Sequence, residues 1–181
     1  MATNSAQEEV VVLPAWLPDM SASLLGREPK GYWYLSRASG FVAFGLLWLS
    51  AALGVAITNK LVRLWPGGPT AIDLHQHTGL LGLTFALFHT LILLGDRYVG
   101  YTMAGLLVPF ASVGYRSFWV GLGQIAFYLM LVVWLSFYVR RRIGHRWWRR
   151  VHYLSFLLFL LALAHGMSSG PDSASAAAHG R

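Results

Sequence analysis

Four long apolar stretches, separated by polar and breaker-rich segments, set the first expectation for this chain. The first runs from about Trp33 to Thr58, the second from about Ile72 to Leu94, the third from about Ser117 to Tyr138 and the fourth from about Val151 to Met167. Each is near the length of about 20 residues that an α-helix needs to cross a hydrocarbon core about 30 Å thick. Between the first two lies 59–70, with Lys60, Arg63 and the breaker cluster Pro66-Gly67-Gly68-Pro69. The segment 95–116 is moderately apolar but interrupted by Gly100, Gly105, Pro109 and Gly114, which fits an interfacial or re-entrant cap better than a fifth span. The third and fourth stretches meet at a basic turn, Arg140 to Arg150. The pattern predicts an all-α integral membrane four-helix bundle over 32–167. An extramembrane N-terminal tail (1–31) and a flexible Ser/Ala/Gly-rich C-terminal tail (168–181) flank it.

Composition agrees. Charged residues make up 12% of the 181 residues and hydrophobic ones 56%, which places the chain in the membrane class. Its net charge of +7 is no sign of nucleic-acid binding, because six of its fourteen Lys and Arg fall in the run beside an apolar stretch. The linkers 59–70 and 139–150 hold eight cations, Lys60, Arg63, Arg140, Arg141, Arg142, Arg146, Arg149 and Arg150; 95–116 holds Arg97 and Arg116. The positive-inside rule then puts the first two linkers in the cytoplasm and both termini outside. With no cysteine in the chain, disulfides, iron–sulfur clusters and C-x-x-C-H haem attachment are excluded.

The chemistry lies in histidines. His75 and His89 are fourteen residues apart in the second stretch; His152 and His165 are thirteen apart in the fourth. Fourteen helical residues rise about 21 Å, so each helix carries one imidazole toward each leaflet. A histidine inside a span is costly and usually has a partner. The loop charges make the second and fourth spans parallel, which pairs His75 with His152 near the cytoplasm and His89 with His165 near the outer face. Two facing pairs, one above the other, suit two stacked six-coordinate haems.

On the second span His75 and His89 lie within about 40° of one face. Gly79, Gly82 and Ala86 share that stripe and leave either a trough for a flat cofactor or a surface for close helix packing. On the fourth span thirteen residues give an offset of about 140° on an ideal helix, so tilt, curvature or a wide turn is needed to bring both rings to one side. Phe85, Phe88, Ser155, Phe156 and Phe159 fill the space between two cofactors or pack as ordinary apolar side chains. His77 faces away from His75 and reads first as a hydrated residue at the helix start, with a propionate, a water or a quinone as alternatives. His145 and His179 read as solvated. Arg149, Arg150 and Lys60 are propionate candidates at the inner level, and Arg97 and Arg116 at the outer one, against simple snorkelling to the interface. Trp147-Trp148 reads as an interface anchor. Asp73, at one edge, is the one carboxylate within a span, which gives no support to a proton relay.

The double-histidine pattern, His75-x13-His89 and His152-x12-His165 with a basic, aromatic turn before the second pair, resembles the ferric reductase-like transmembrane domain. That family includes ferric reductases, NADPH oxidases and the haem subunit of a methionine-sulfoxide reductase system. The resemblance covers about residues 33–172 and shares the unequal spacing. It implies two non-covalent b-type haems, each held by one histidine from each helix, passing single electrons across a bacterial cytoplasmic membrane. No flavin- or NAD-binding segment follows the fourth stretch, so the donor is expected to be a partner subunit, a flavoprotein or a quinol. The chain would then be an electron-transfer component and not a complete enzyme. The rival expectations are the membrane part of an outer-face reductase acting on ferric iron, oxygen or a periplasmic oxidoreductase, and a structural accessory subunit of a larger respiratory or photosynthetic assembly.

Overall fold

The computed structural model describes residues 30–63, 66–95, 101–111 and 116–169. Residues 1–29 of the expected N-terminal tail, Arg97, His179 and most of the C-terminal tail lie outside the described residues, while Lys30 and Gly31, expected in that tail, open the first helix. What is described is all-helical: α1 (Lys30–Thr58), a 3-10 turn (Leu61–Arg63), α2 (Gly68–Ile92) running into a second 3-10 turn (Leu93–Gly95), the short α3 (Met103–Leu107), α4 (Ser117–Ile143) and α5 (His145–Ser169). Four of these, α1, α2, α4 and α5, are long and apolar enough to cross a membrane. The chain is a multi-pass membrane protein.

Helix boundaries follow local chemistry. Gly67 takes φ 97°, a conformation open to glycine, and Pro69 stands in the first turn of α2, where its missing N–H costs nothing. Helix α4 ends at Gly144, φ 79°, whose N–H donates to Arg140 O at 3.0 Å. The expected basic turn Arg140 to Arg150 is therefore not a turn. Arg140, Arg141 and Arg142 end α4, while Arg146, Arg149 and Arg150 lie in the first turns of α5, and Gly144 alone separates the two helices. Arginine is a good helix former. The helices are 25 to 29 residues long, roughly 37 to 44 Å at 1.5 Å per residue, and so outrun the hydrocarbon core.

Segment 95–116 folds, in its described part, as a one-turn cap. Thr102 accepts from Gly105 N at 3.1 Å and starts α3. Gln124 of α4 donates to the carbonyls of Gly105 (2.6 Å) and Leu106 (2.9 Å), and Tyr128 donates to that of Leu107. These bonds satisfy carbonyls that so short a helix leaves open.

Packing runs in two hairpins. Helix α1 lies along α2, and α4 along α5; between hairpins the backbone contacts are sparse, mainly α1 with α5 and α2 with α4. Small residues let the helices approach: Gly82 faces Leu46 and Ala43 of α1 and Met130 of α4, and Gly79 faces Ser50 of α1. The trough expected from Gly79 and Gly82 is thus a helix-packing surface, because those positions are taken by α1. Much of the apolar surface points outward (Phe41 is 66% exposed, Trp48 58%, Leu160 60%), as a lipid-facing bundle requires.

Candidate functional site

The structure brings the four histidines together as two pairs. The rings of His75 and His152 have centroids 5.9 Å apart, with planes at 71°. Those of His89 and His165 are 6.1 Å apart, at 74°. The pairing is first with first and second with second, so α2 and α5 run in the same direction. Helices α2 and α5 share few close backbone approaches, so it is chiefly the side chains that bring the two elements together at these levels.

Each anchored ring is held by the neighbouring helix of its own hairpin. His75 Nδ1 lies 2.8 Å from Ser50 O, His89 Nδ1 2.7 Å from Ser36 O, and His165 Nδ1 2.9 Å from Trp119 O. A carbonyl can only accept, so Nδ1 carries the proton in all three and Nε2 keeps its lone pair. A side-chain hydroxyl stands beside each: Ser50 Oγ at 3.1 Å, Ser36 Oγ at 3.2 Å and Ser169 Oγ at 3.1 Å. Four positions beyond each residue whose carbonyl accepts from a ring there is a glycine. A Cβ on Gly54 would come 3.3 Å from the His75 ring, one on Gly40 3.0 Å from His89, and one on Gly123 2.7 Å from His165. A carbonyl at one position and room at the fourth residue after it form the cradle for each imidazole.

His152 is different. Among the described residues it makes no hydrogen bond; its ring stacks on Trp148 of its own helix, centroids 5.3 Å apart at 27°. Helix α4 has no glycine between Gly123 and its end at Ile143, so it offers no second cradle. The angular mismatch on α5 is met by letting the two rings leave the helix in different directions. His165 is held against Trp119 and Gly123 of α4, while His152 lies back against Trp148.

The other candidates sort by level. Arg116 donates to Ser168 O near the end of α5, three residues from His165. Arg149 bonds Tyr153 Oη at 3.0 Å, and Arg150 lies over the Trp147 ring at 4.7 Å, both on an exposed face of α5. Lys60 and His77 are exposed, and His145 is exposed and tilted against Trp148. The Trp148 indole nitrogen is buried with no partner among the described residues, a donor at the inner level that the interface-anchor reading did not anticipate. Between the levels Phe44 of α1 stacks on Phe159, centroids 5.3 Å apart.

Among the described residues no three His, Asp or Glu side chains converge as a metal cluster.

A family model described as ferric reductase like transmembrane component matches residues 39–163, most of the chain and three of the four histidines. The chain belongs to the ferric reductase like transmembrane component family. It is thereby a membrane redox component. His165 lies two residues beyond the matched region and Ser36 three residues before it. No match was found among curated proteins or among solved structures.

Proposed function

We propose that the chain is a four-span b-type cytochrome that holds two haems and passes single electrons across a bacterial cytoplasmic membrane. His75 and His152 would hold the inner haem, and His89 and His165 the outer one. The observation that carries the reading is the pair of facing imidazoles at two levels, three of the four with Nδ1 fixed as donor. The residues fit the group. At each level two imidazoles face each other, with ring centroids 5.9 and 6.1 Å apart, and three of the four keep an Nε2 lone pair for a metal.

A haem, when bound, supplies a one-electron iron couple in a dry medium. The chain supplies the rest. The backbone carbonyls of Ser50, Ser36 and Trp119 orient their rings and raise the basicity of Nε2. The Trp148 N–H and the Arg116 guanidinium are donors for propionates at the inner and outer levels respectively. The stacked Phe44 and Phe159 exclude water between the levels. Were a haem held at each level by both imidazoles, its iron would be closed to a substrate oxygen, which favours a conduit over a reductase acting at iron. The donor is then a partner subunit, a flavoprotein or a quinol. The basic end of the bundle lies in the cytoplasm and both termini outside.

The test is a pyridine haemochrome assay on protein purified from haem-replete cells. The expected result is two low-spin b-type haems per chain. His89→Ala and His165→Ala each lose one haem, and His75→Ala and His152→Ala each lose the other. A colourless wild-type protein, or variants that leave both haems in place, would overturn the assignment.

A further inference from the structure

Ser36 and Ser50 are fourteen residues apart on α1, the same interval that separates His75 from His89 on α2. Because α1 and α2 form a hairpin, the order inverts: Ser50 meets His75 and Ser36 meets His89. Each serine presents two oxygens to one Nδ1, its own carbonyl (2.8 Å and 2.7 Å) and its hydroxyl (3.1 Å and 3.2 Å). Each is followed four residues later by the glycine that makes room for the ring, Gly54 and Gly40. Both serines are buried, and so is Ser39. Ser39 differs in one respect: its hydroxyl donates to Leu35 O and Ser36 O of its own helix and touches no histidine. Burial in a span therefore does not by itself turn a serine toward a ring.

The carbonyl alone satisfies Nδ1. The hydroxyl adds a second acceptor and makes a three-centre bond, in which one N–H is shared between two oxygens. Ser50 can play this part because its own proton goes to His75 O, 3.1 Å away, and leaves its lone pairs for Nδ1–H. A second acceptor draws the Nδ1 proton outward and gives the ring more imidazolate character, which strengthens donation from Nε2.

We infer that Ser36 and Ser50 are positioning residues that tune the two haem sites separately, Ser36 through His89 and Ser50 through His75, each hydroxyl holding its haem at a lower potential than the carbonyl alone would. The inference rests on the bis-histidine reading above. A stronger axial donor stabilises the ferric state, so loss of a hydroxyl raises the potential of one haem and spares the other.

The experiment is a redox titration of the purified chain, followed by optical and low-spin EPR spectra. Ser50→Ala is expected to raise the potential of the haem missing from His75→Ala protein, and Ser36→Ala that of the haem missing from His89→Ala protein. Ser50→Thr and Ser36→Thr, which keep the hydroxyl, restore the wild-type values, and Ser136→Ala, which removes a buried hydroxyl bonded to Val133 O of its own helix α4, moves neither. If an alanine variant loses its haem, the cysteine variant at the same position takes its place; a thiol is a weak acceptor and is expected to shift the potential upward as well. Unchanged potentials in the Ser36 and Ser50 variants, equal shifts in both haems, or a comparable shift in Ser136→Ala would overturn the inference alone. A wild-type protein without two low-spin haems would remove the parent reading and this inference with it.

Discussion

A methyl group at position 123 would stand 2.7 Å from His165 Nδ1 and 2.8 Å from its Cγ, closer than van der Waals contact allows. The ring cannot retreat without giving up its 2.9 Å bond to Trp119 O. Gly123→Ala is therefore expected to empty the outer site and halve the haem content, whereas Gly45→Ala, where a new Cβ meets nothing within 4 Å, leaves it unchanged; a haem-to-protein ratio separates the two. The alanine at 45 should also favour the helix, by about 0.5–1 kcal/mol in an ordinary helix interior. The histidines were readable from sequence because imidazoles in apolar stretches are rare and their spacing is a simple interval. The cradles were not. Ser36-x3-Gly40 and Ser50-x3-Gly54 are plain in the chain, but they gain meaning only when the hairpin register sets Ser50 against His75. The same missing register leaves Gly79 and Gly82 open in the sequence between a cofactor trough and helix packing, and in the structure they pack on α1. Trp148 was seen as an anchor, since no sequence pattern says that its indole nitrogen is buried beside His152.

At the scale of elements, apolar run length located all four spans and the end of α1 at Thr58, but placed the basic-side ends of α2, α4 and α5 several residues short. Charge marks where lipid stops, and hydrogen bonding decides where a helix stops; arginine serves both ends of that distinction at 140–142 and 146–150. The cap was legible as an interrupted, non-spanning segment. Its attachment was not, because a single glutamine inside an apolar span carries no signal about which carbonyls it reaches. Gln124 holds two carbonyls of α3. Gln124→Leu leaves both without that donor, at a cost of about 1–3 kcal/mol for each buried group. The expected outcome is faster amide hydrogen exchange across Met103–Leu107, with protection of α4 and α5 retained. Equal protection of α3 in the variant would show that the two bonds do not hold it.

For the whole molecule, the histidine pairing puts the α1–α2 connection and Gly144 at one end and α3 at the other. The natural chain has no cysteine, so single-cysteine variants report orientation without background. In sealed right-side-out vesicles a membrane-impermeant maleimide is expected to label Met103→Cys and to spare Lys60→Cys until the membrane is opened; the reverse pattern would invert the proposed topology. The one-residue break at Gly144 has a consequence for whatever anionic surface meets the basic end. Six guanidinium groups project from two helical termini joined through a single residue, so their Cα positions are fixed relative to one another before any encounter. A floppy arginine loop would have to surrender backbone freedom on docking, at about 1–2 kcal/mol per residue frozen. Here that ordering was completed when the chain folded, and the charges meet their counterpart as a ready-made stencil.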